Sequence, residues 1–343
     1  SAWLTTTQTF KLYVSTWKPH RRLLNPAFNQ QVLNTFMAEF NLQTRNLVSL
    51  LASEVGNEPF NVHRYLMTYL LKTVCRTSLG LKQQDQNIID RDYVFATEDL
   101  LSIFGERFKK IWLHLSHIFY WINALETIVY WAMLQFISDK FKPLLDQLID
   151  LADKQDSFTD DEIRELKVFQ QQIYMELMLL YRLQTVLGHE DRDLTKDDLP
   201  KLVYLDAVIK ESLRLYPPVP VIARSIHSDI QLKNYILPAG SNCLISMYGI
   251  NHHPMWGADV EQFIPERWLD PAILPDNPNA FASFSLGKRN CLGRLYAIMA
   301  IKTTLVHVLR KYRVTGDISN IITQNDIMIR PATDQQIRLE LRN

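Results

Sequence analysis

The chain of 343 residues has only 3 cysteines and 10 glycines, and it carries no net charge, since Lys+Arg and Asp+Glu stand at 37 each. Each shortage excludes something. Balanced charge leaves no basic field to steer the protein to nucleic acid, so nucleic-acid binding is disfavoured. Cys75, Cys243 and Cys291 stand in no paired motif, which argues against a disulfide framework. There is no GxGxxG for a dinucleotide, no Gly-rich phosphate loop and no internal repeat. Long hydrophobic runs are missing as well. The most apolar stretch, Ile118 to Ile137, is broken by Asn123, Glu126 and Gln135, which argues against a span of about twenty residues in hydrocarbon. Trp112 to Ile137 reads as amphipathic helices that line a pocket or touch a membrane surface, or as a plain core pair. The adjacent His252 and His253 cannot face one metal together and read as loop histidines.

Hydrophobic residues at 47% and charged residues at 22% describe a globular chain able to bury a large core. Length alone suggests about two domains. Helical patterning dominates up to Pro217, and short strand-like runs follow, which predicts a mainly α fold with a small antiparallel β part. One β unit is IQLKNYILPAGSNCLISMY, two apolar stretches joined by a turn at Pro238 to Gly240. Another is the C-terminal segment, where Ile337, Leu339 and Leu341 alternate with Arg338, Glu340 and Arg342 and are expected to face a partner around Ile327 and Ile329.

Chemistry concentrates in FSLGKRNCLG, Phe284 to Gly293, which sets Cys291 between two glycines ahead of a helical pattern. Leu295, Ile298, Ile301, Leu305 and Leu309 keep three- and four-residue steps through that pattern, with no proline among them. A cysteine at the mouth of a helix gains stabilisation of its thiolate from free N–H groups and the macrodipole. Gly287 and Gly293 would let the backbone lie against a flat macrocycle where a side chain would collide. The plainer reading is an ordinary thiol beside a turn. In VIKESLRLYPP, Glu211 and Arg214 share a helix face, with Thr195 and Asp198 as a start signal and Pro217 and Pro218 as a stop. FIPERW supplies a second arginine, Arg267. WKPHRR puts Trp17 and Arg21 four apart, with Pro19 tolerable in a first helical turn.

The order Phe, two residues, Gly, one, Arg, one, Cys, one, Gly resembles the haem loop of the cytochrome P450 superfamily at each position. The resemblance implies one P450-like domain over 1–343, mostly helical to 217 and mixed in 218–343. It implies haem b (iron protoporphyrin IX), with Cys291 as the axial iron ligand and Phe284, Gly287 and Gly293 shaping its loop. Arg289, Trp17, Arg21 and Arg224 (in VIARS) would meet the haem propionates, and Glu211, Arg214 and Arg267 would form a buried triad behind the loop. YLDAVIKESLRLYPPVP and FTDDEIRE resemble the microsomal family 4 branch, insect members in particular. From this follow lipophilic substrates such as fatty acids, hormones or xenobiotics, O2, and electrons from NADPH–cytochrome P450 reductase. The expected setting is the cytoplasmic face of the endoplasmic reticulum membrane. The chain departs from the pattern in two places. No signal anchor precedes Trp17, and FTDDEIRE, which normally leads into the oxygen-activating helix on the distal face of the haem, is followed after a few residues by QQQIYMEL, resembling the next helix along. Without the family, Asp160 to Leu187 reads as one amphipathic helix capped by Thr159 and Glu162. An impaired haem-binding relative is the alternative function.

Overall fold

The computed structural model describes residues 14–79, 182–188, 190–316, 323–325, 329–331 and 336–342. Both Trp112 to Ile137 and all but the end of Asp160 to Leu187 lie outside the described residues, although 182–187 is helical as expected. The helices are α1 (Val14–Leu24), α2 (Gln30–Thr35), α3 (Met37–Leu51), α4 (His63–Leu79), α5 (Val203–Leu215), α6 (Met247–Asn251) and α7 (Arg294–Lys311). Antiparallel strands are short and gathered in small sheets, so the mainly α expectation is met.

The main core lies among α2, α3, α5 and α7. Leu33, Phe40 and Val306 are wholly buried there, and the Phe40 and Tyr296 rings meet edge to face at 5.2 Å. Each such apolar side chain contributes about 2 to 3 kcal/mol by leaving water. α7 is packed on more of its circumference than the sequence spacing suggests. Leu295 is exposed, Ile298, Ile301, Leu305 and Leu309 pack at the edge of the core, and the deepest positions include Met299, Thr303 and His307. Lys302 is also buried, bound to Asp206 of α5 at 2.9 Å and to the Leu199 carbonyl at 3.2 Å, so a charge-assisted link ties α7 to α5.

Several local expectations are corrected. Pro19 lies inside α1, beyond the first turn, where it leaves the carbonyl four residues back without its helical donor. Asp198 accepts from both the N–H and the hydroxyl of Thr195, at 2.9 and 2.8 Å, but this box closes a turn ahead of a 3-10 segment, Leu199–Lys201, and α5 starts only at Val203. Pro200 sets the chain into that tighter turn.

The turn at Pro238 to Gly240 exists, with Gly240 at φ +83, the left-handed region that favours glycine. It does not join two paired strands. β3 (Ile230–Gln231) pairs with β4 (Ile236–Leu237), while β5 (Asn242–Ser246) leaves the turn to pair with β2 (Val221–Ser225). Likewise β9 (Gln336–Leu341) does not face Ile329, which belongs to β8 (Ile329–Pro331) and pairs with β7 (Thr323–Asn325). β9 instead lies between β1 (Phe60–Asn61) and β6 (Tyr312–Gly316), in the order β1-β9-β6. The reason is packing: Tyr312 and Leu339 are wholly buried together in a second core with Leu47, Leu51 and Tyr69. No helix among the described residues is long and apolar enough to cross a membrane.

Candidate functional site

Cys291 sits in the loop between a 3-10 turn, Gly287–Arg289, and α7, whose N-cap is Gly293. The cysteine is exposed and its N–H donates to the Phe284 carbonyl at 2.8 Å, closing the loop on itself. Ser285 and Gly287 take left-handed φ values of 57 and 69, and a Cβ placed on Gly287 would meet nothing within 4 Å. Gly293 has an ordinary φ, and a Cβ there would meet only the Phe28 ring, at 4.0 Å. The glycine requirement is therefore conformational at Gly287, and at Gly293 a side chain would meet the Phe28 ring at ordinary contact distance. Phe284 is half-buried, with the Arg294 guanidinium 5.8 Å above its ring.

Two distant segments, α1 and β2, approach this loop. The Arg289 guanidinium stacks over the Trp17 ring at 4.5 Å, a cation–π contact between the cysteine loop and α1. One turn along α1, Arg21 donates from Nη1 to the Asn290 carbonyl at 2.8 Å and from Nη2 to Asn290 Oδ1 at 2.9 Å, while its Nε donates to Asn25 Oδ1 at 2.8 Å. From β2 comes Arg224, which donates to the Ala223 carbonyl at 2.8 Å. Burial pulls its guanidinium below the ordinary value, and the charge of Arg289 beside it adds to the shift. Like charges brought together at one edge favour an anionic ligand with planar oxygen acceptors.

Behind the loop, the predicted triad is formed and closed. Glu211 and Arg214 are 0% exposed and Arg267 is 1% exposed. Arg214 grips both oxygens of Glu211 at 2.9 and 3.0 Å, and Arg267 donates to Oε1 at 2.9 Å. The carboxylate also accepts from the Trp268 indole and the Ile264 N–H. Burial alone would raise the Glu211 carboxyl, but the Arg214 hydrogen bonds lead a set of partners that hold it below its usual value. From here the structure runs to the cysteine through Asn251. Arg214 donates to the Asn251 carbonyl, Asn251 Oδ1 accepts from the Ala282 N–H at 3.0 Å, and its amide donates to Ser283 at 2.8 Å, next to Phe284.

Asn251 and Asn290 are the residues that sequence reasoning missed. Their partners lie 31 to 269 positions away, so no local pattern marks them. His252 and His253 are turn residues as expected: His252 stacks on Tyr248 at 3.8 Å and His253 caps the next turn by accepting from the Met255 N–H. No cluster of ligating side chains that could hold a metal ion by itself occurs among the described residues. An exposed cysteine on a loop with a left-handed glycine turn, with guanidinium groups beside it, fits a planar iron cofactor with carboxylate arms, which brings most of its own ligands.

Comparison with known proteins agrees with this geometry. The family model "Cytochrome P450" matches residues 1–172 and 170–337, two pieces that meet where FTDDEIRE passes into QQQIYMEL. Cytochrome P450 4V2 of Mus musculus is 28% identical over 382 residues, covering 96% of this chain and 73% of that protein. Cytochrome P450 4c3 of Drosophila melanogaster is 29% identical over 385 residues, covering 95% and 72%, and cytochrome P450 4c21 of Blattella germanica is 27% identical over 351 residues, covering 87% and 69%. Since the match takes in both halves of the chain and the cysteine loop within them, the chain belongs to the cytochrome P450 family.

Proposed function

We propose that Cys291 is the axial ligand of haem b in this chain and that the loop around it serves the oxidation of fatty acids, hormones or xenobiotics with O2 and NADPH-derived electrons. Membership of the family makes the chain a monooxygenase by resemblance, with haem b as cofactor and lipophilic compounds as the general substrate class. The observation that carries the residue assignment is the convergence of Trp17, Arg21, Arg289 and Arg224 on one loop that holds an exposed cysteine.

Haem supplies oxygen activation, for which electron donation by an axial thiolate favours O–O cleavage. The chain's own residues do the rest. The Phe284 carbonyl fixes the Cys291 amide, and Gly287 takes the left-handed turn of the loop that carries it. Arg289, Arg224 and the Trp17 indole N–H hold the propionates. Arg21 joins them, because a guanidinium carries five N–H donors and three are engaged by Asn25 and Asn290. NADPH–cytochrome P450 reductase is the proposed electron donor, at the cytoplasmic face of the endoplasmic reticulum membrane. The microsomal setting and the insect-type affinity rest on family 4 relatives such as the Drosophila melanogaster protein.

The test is the spectrum of the reduced, carbon-monoxide-bound protein, with Cys291→Ser beside it. A thiolate-type Soret band in the parent that vanishes in the variant supports the assignment; an unchanged band in the variant overturns it. A second reading is a haem-binding relative with impaired turnover. It is supported by the two-piece family match and by an alignment of 382 positions to a chain of 343 residues, so the mouse relative has stretches with no counterpart here. Proton delivery positioned by protein groups is worth about 10²- to 10⁴-fold in rate. Turnover coupled to NADPH use at ordinary rates would refute this second reading, and NADPH consumption without product would favour it.

A further inference from the structure

The peptide unit joining Asn290 to Cys291 is held at both poles by different parts of the fold. Its N–H donates to the Phe284 carbonyl at 2.8 Å, within the loop. Its carbonyl accepts from Arg21 Nη1 at 2.8 Å, and Arg21 stands on α1, 269 positions away. The same guanidinium reaches Asn290 Oδ1 from Nη2 at 2.9 Å, so the two bonds lie side by side and fix the plane of the cation against one residue. Asn25 accepts from Nε at 2.8 Å and pins that plane from α1's own end. Asn290 is itself anchored a third way, because its N–H donates to the Gly287 carbonyl at 3.2 Å and closes the 3-10 turn.

We propose that Asn290 is a positioning residue for the Cys291 sulfur: by taking the Arg21 guanidinium on both its carbonyl and its side-chain oxygen, it ties α1 to the peptide that carries the sulfur. A peptide plane bound at both poles cannot rotate, and rotation of this plane is the motion that would swing the Cys291 side chain away from its place. The carbonyl polarised by the cation also strengthens the N–H bond at the other end of the unit, since bonded dipoles in a chain reinforce one another. An aliphatic residue at 290 keeps the carbonyl contact and loses the second prong, leaving the guanidinium free to swivel about the remaining bond. Arg21 is thereby two-faced, one edge on the sulfur-bearing peptide, while its remaining N–H groups would serve the carboxylate arms of the cofactor. This inference rests on the reading of Cys291 as the iron ligand.

The experiment separates the two claims. Amide hydrogen exchange at Cys291 is measured in the chain before and after haem loading, and the carbon-monoxide band and the rate of haem loss to a scavenging apoprotein are measured after loading. Asn290→Ala is expected to speed Cys291 amide exchange about tenfold, the order set by one hydrogen bond to a charged group. In the loaded protein it should convert part of the thiolate-type band to the thiol type and hasten haem loss. Asn290→Asp keeps an acceptor at the same place and should return all three readouts toward the parent. Arg21→Lys cannot meet both oxygens in one plane, so combining it with Asn290→Ala should cost no more than the worse single change. Unaltered exchange in Asn290→Ala, or losses that add in the double variant, overturn the proposal. So does faster exchange with an untouched band, because the hold on the peptide would then not reach the sulfur. Failure of the ligand assignment looks different: Cys291→Ser would keep the parent band while the exchange effect of Asn290→Ala persisted.

Discussion

Glu211, Arg214 and Arg267 are shut away from solvent and close their charges on one another, whereas Arg224 at the edge of the Cys291 loop has the positive charge of Arg289 near it. Both regions spend arginines, and they spend them on opposite tasks. In the first, a carboxylate with five hydrogen bonds neutralises its neighbours, and Asp259 stands 3.5 Å from the outer side of Arg267. Such a cluster fixes structure, and its worth shows when one member is removed. In the second, the charge pressing on Arg224 is another positive one, so the arrangement gains when an anion arrives. The lesson is that the sign balance around an arginine, more than its depth, tells scaffold from ligand site.

The largest effect should come from the closed cluster. Glu211→Ala leaves two buried guanidinium groups without their carboxylate and should cost about 3 to 5 kcal/mol in urea unfolding of the haem-free chain. A loss under about 1 kcal/mol would place the triad among ordinary surface pairs and erase the contrast. In the open cluster, Arg224→Gln should move the stability of the haem-free chain by no more than about 0.5 kcal/mol while raising the haem dissociation constant about tenfold. A stability loss on the scale of Glu211→Ala would mean that both clusters are scaffold.

His307 is an intermediate case, a buried ionisable group that avoids the problem by staying neutral. It is 4% exposed, and burial first, then Arg45 and Arg310, hold it down at about 4, with Asp193 and Asp191 pulling weakly the other way. Its Nε2 lies 2.8 Å from Asn41 Oδ1, and the Asn41 amide nitrogen already donates to the Met37 and Leu194 carbonyls, so Nε2 carries the proton. The unfolded imidazole, near pH 6.5, takes up a proton that the folded one refuses. Stability should therefore fall as pH drops from 6.5 to 4, by up to about 3 kcal/mol, and be insensitive to this group above that window. His307→Asn should flatten that slope in pH-dependent unfolding. A more modest effect than at His307 is expected at Gly287, where φ is +69 and nothing lies within 4 Å of a new Cβ. Gly287→Ala should cost about 1 kcal/mol through backbone strain alone, read as a shift in the urea midpoint.

What the sequence discloses here follows the range of the interaction. The α7 pattern, the left-handed turn at Gly240 and the Glu211–Arg214 pair are set by residues a few positions apart, and each is present. The cysteine loop is legible because its residues are contiguous. Strand pairing is another matter: β4 and β5 flank one turn but join different sheets, and β9 takes β6 and β1 as partners because Leu339 fills the space beside Tyr312. Periodicity reports which face of a strand is apolar and is silent on what covers it. Asn251, Asn290 and Lys302 escape for a related reason, since polar residues at interior positions gain meaning only from distant partners.

The sheet order β1-β9-β6 has a consequence for synthesis. Of these three strands the one that emerges last from the ribosome is the one in the middle, so neither Phe60–Asn61 nor Tyr312–Gly316 has its neighbour until that segment is made. Closure of this sheet links positions nearly three hundred residues apart, a slow step by loop-closure entropy, and it makes completion of this corner a late checkpoint on the nascent protein.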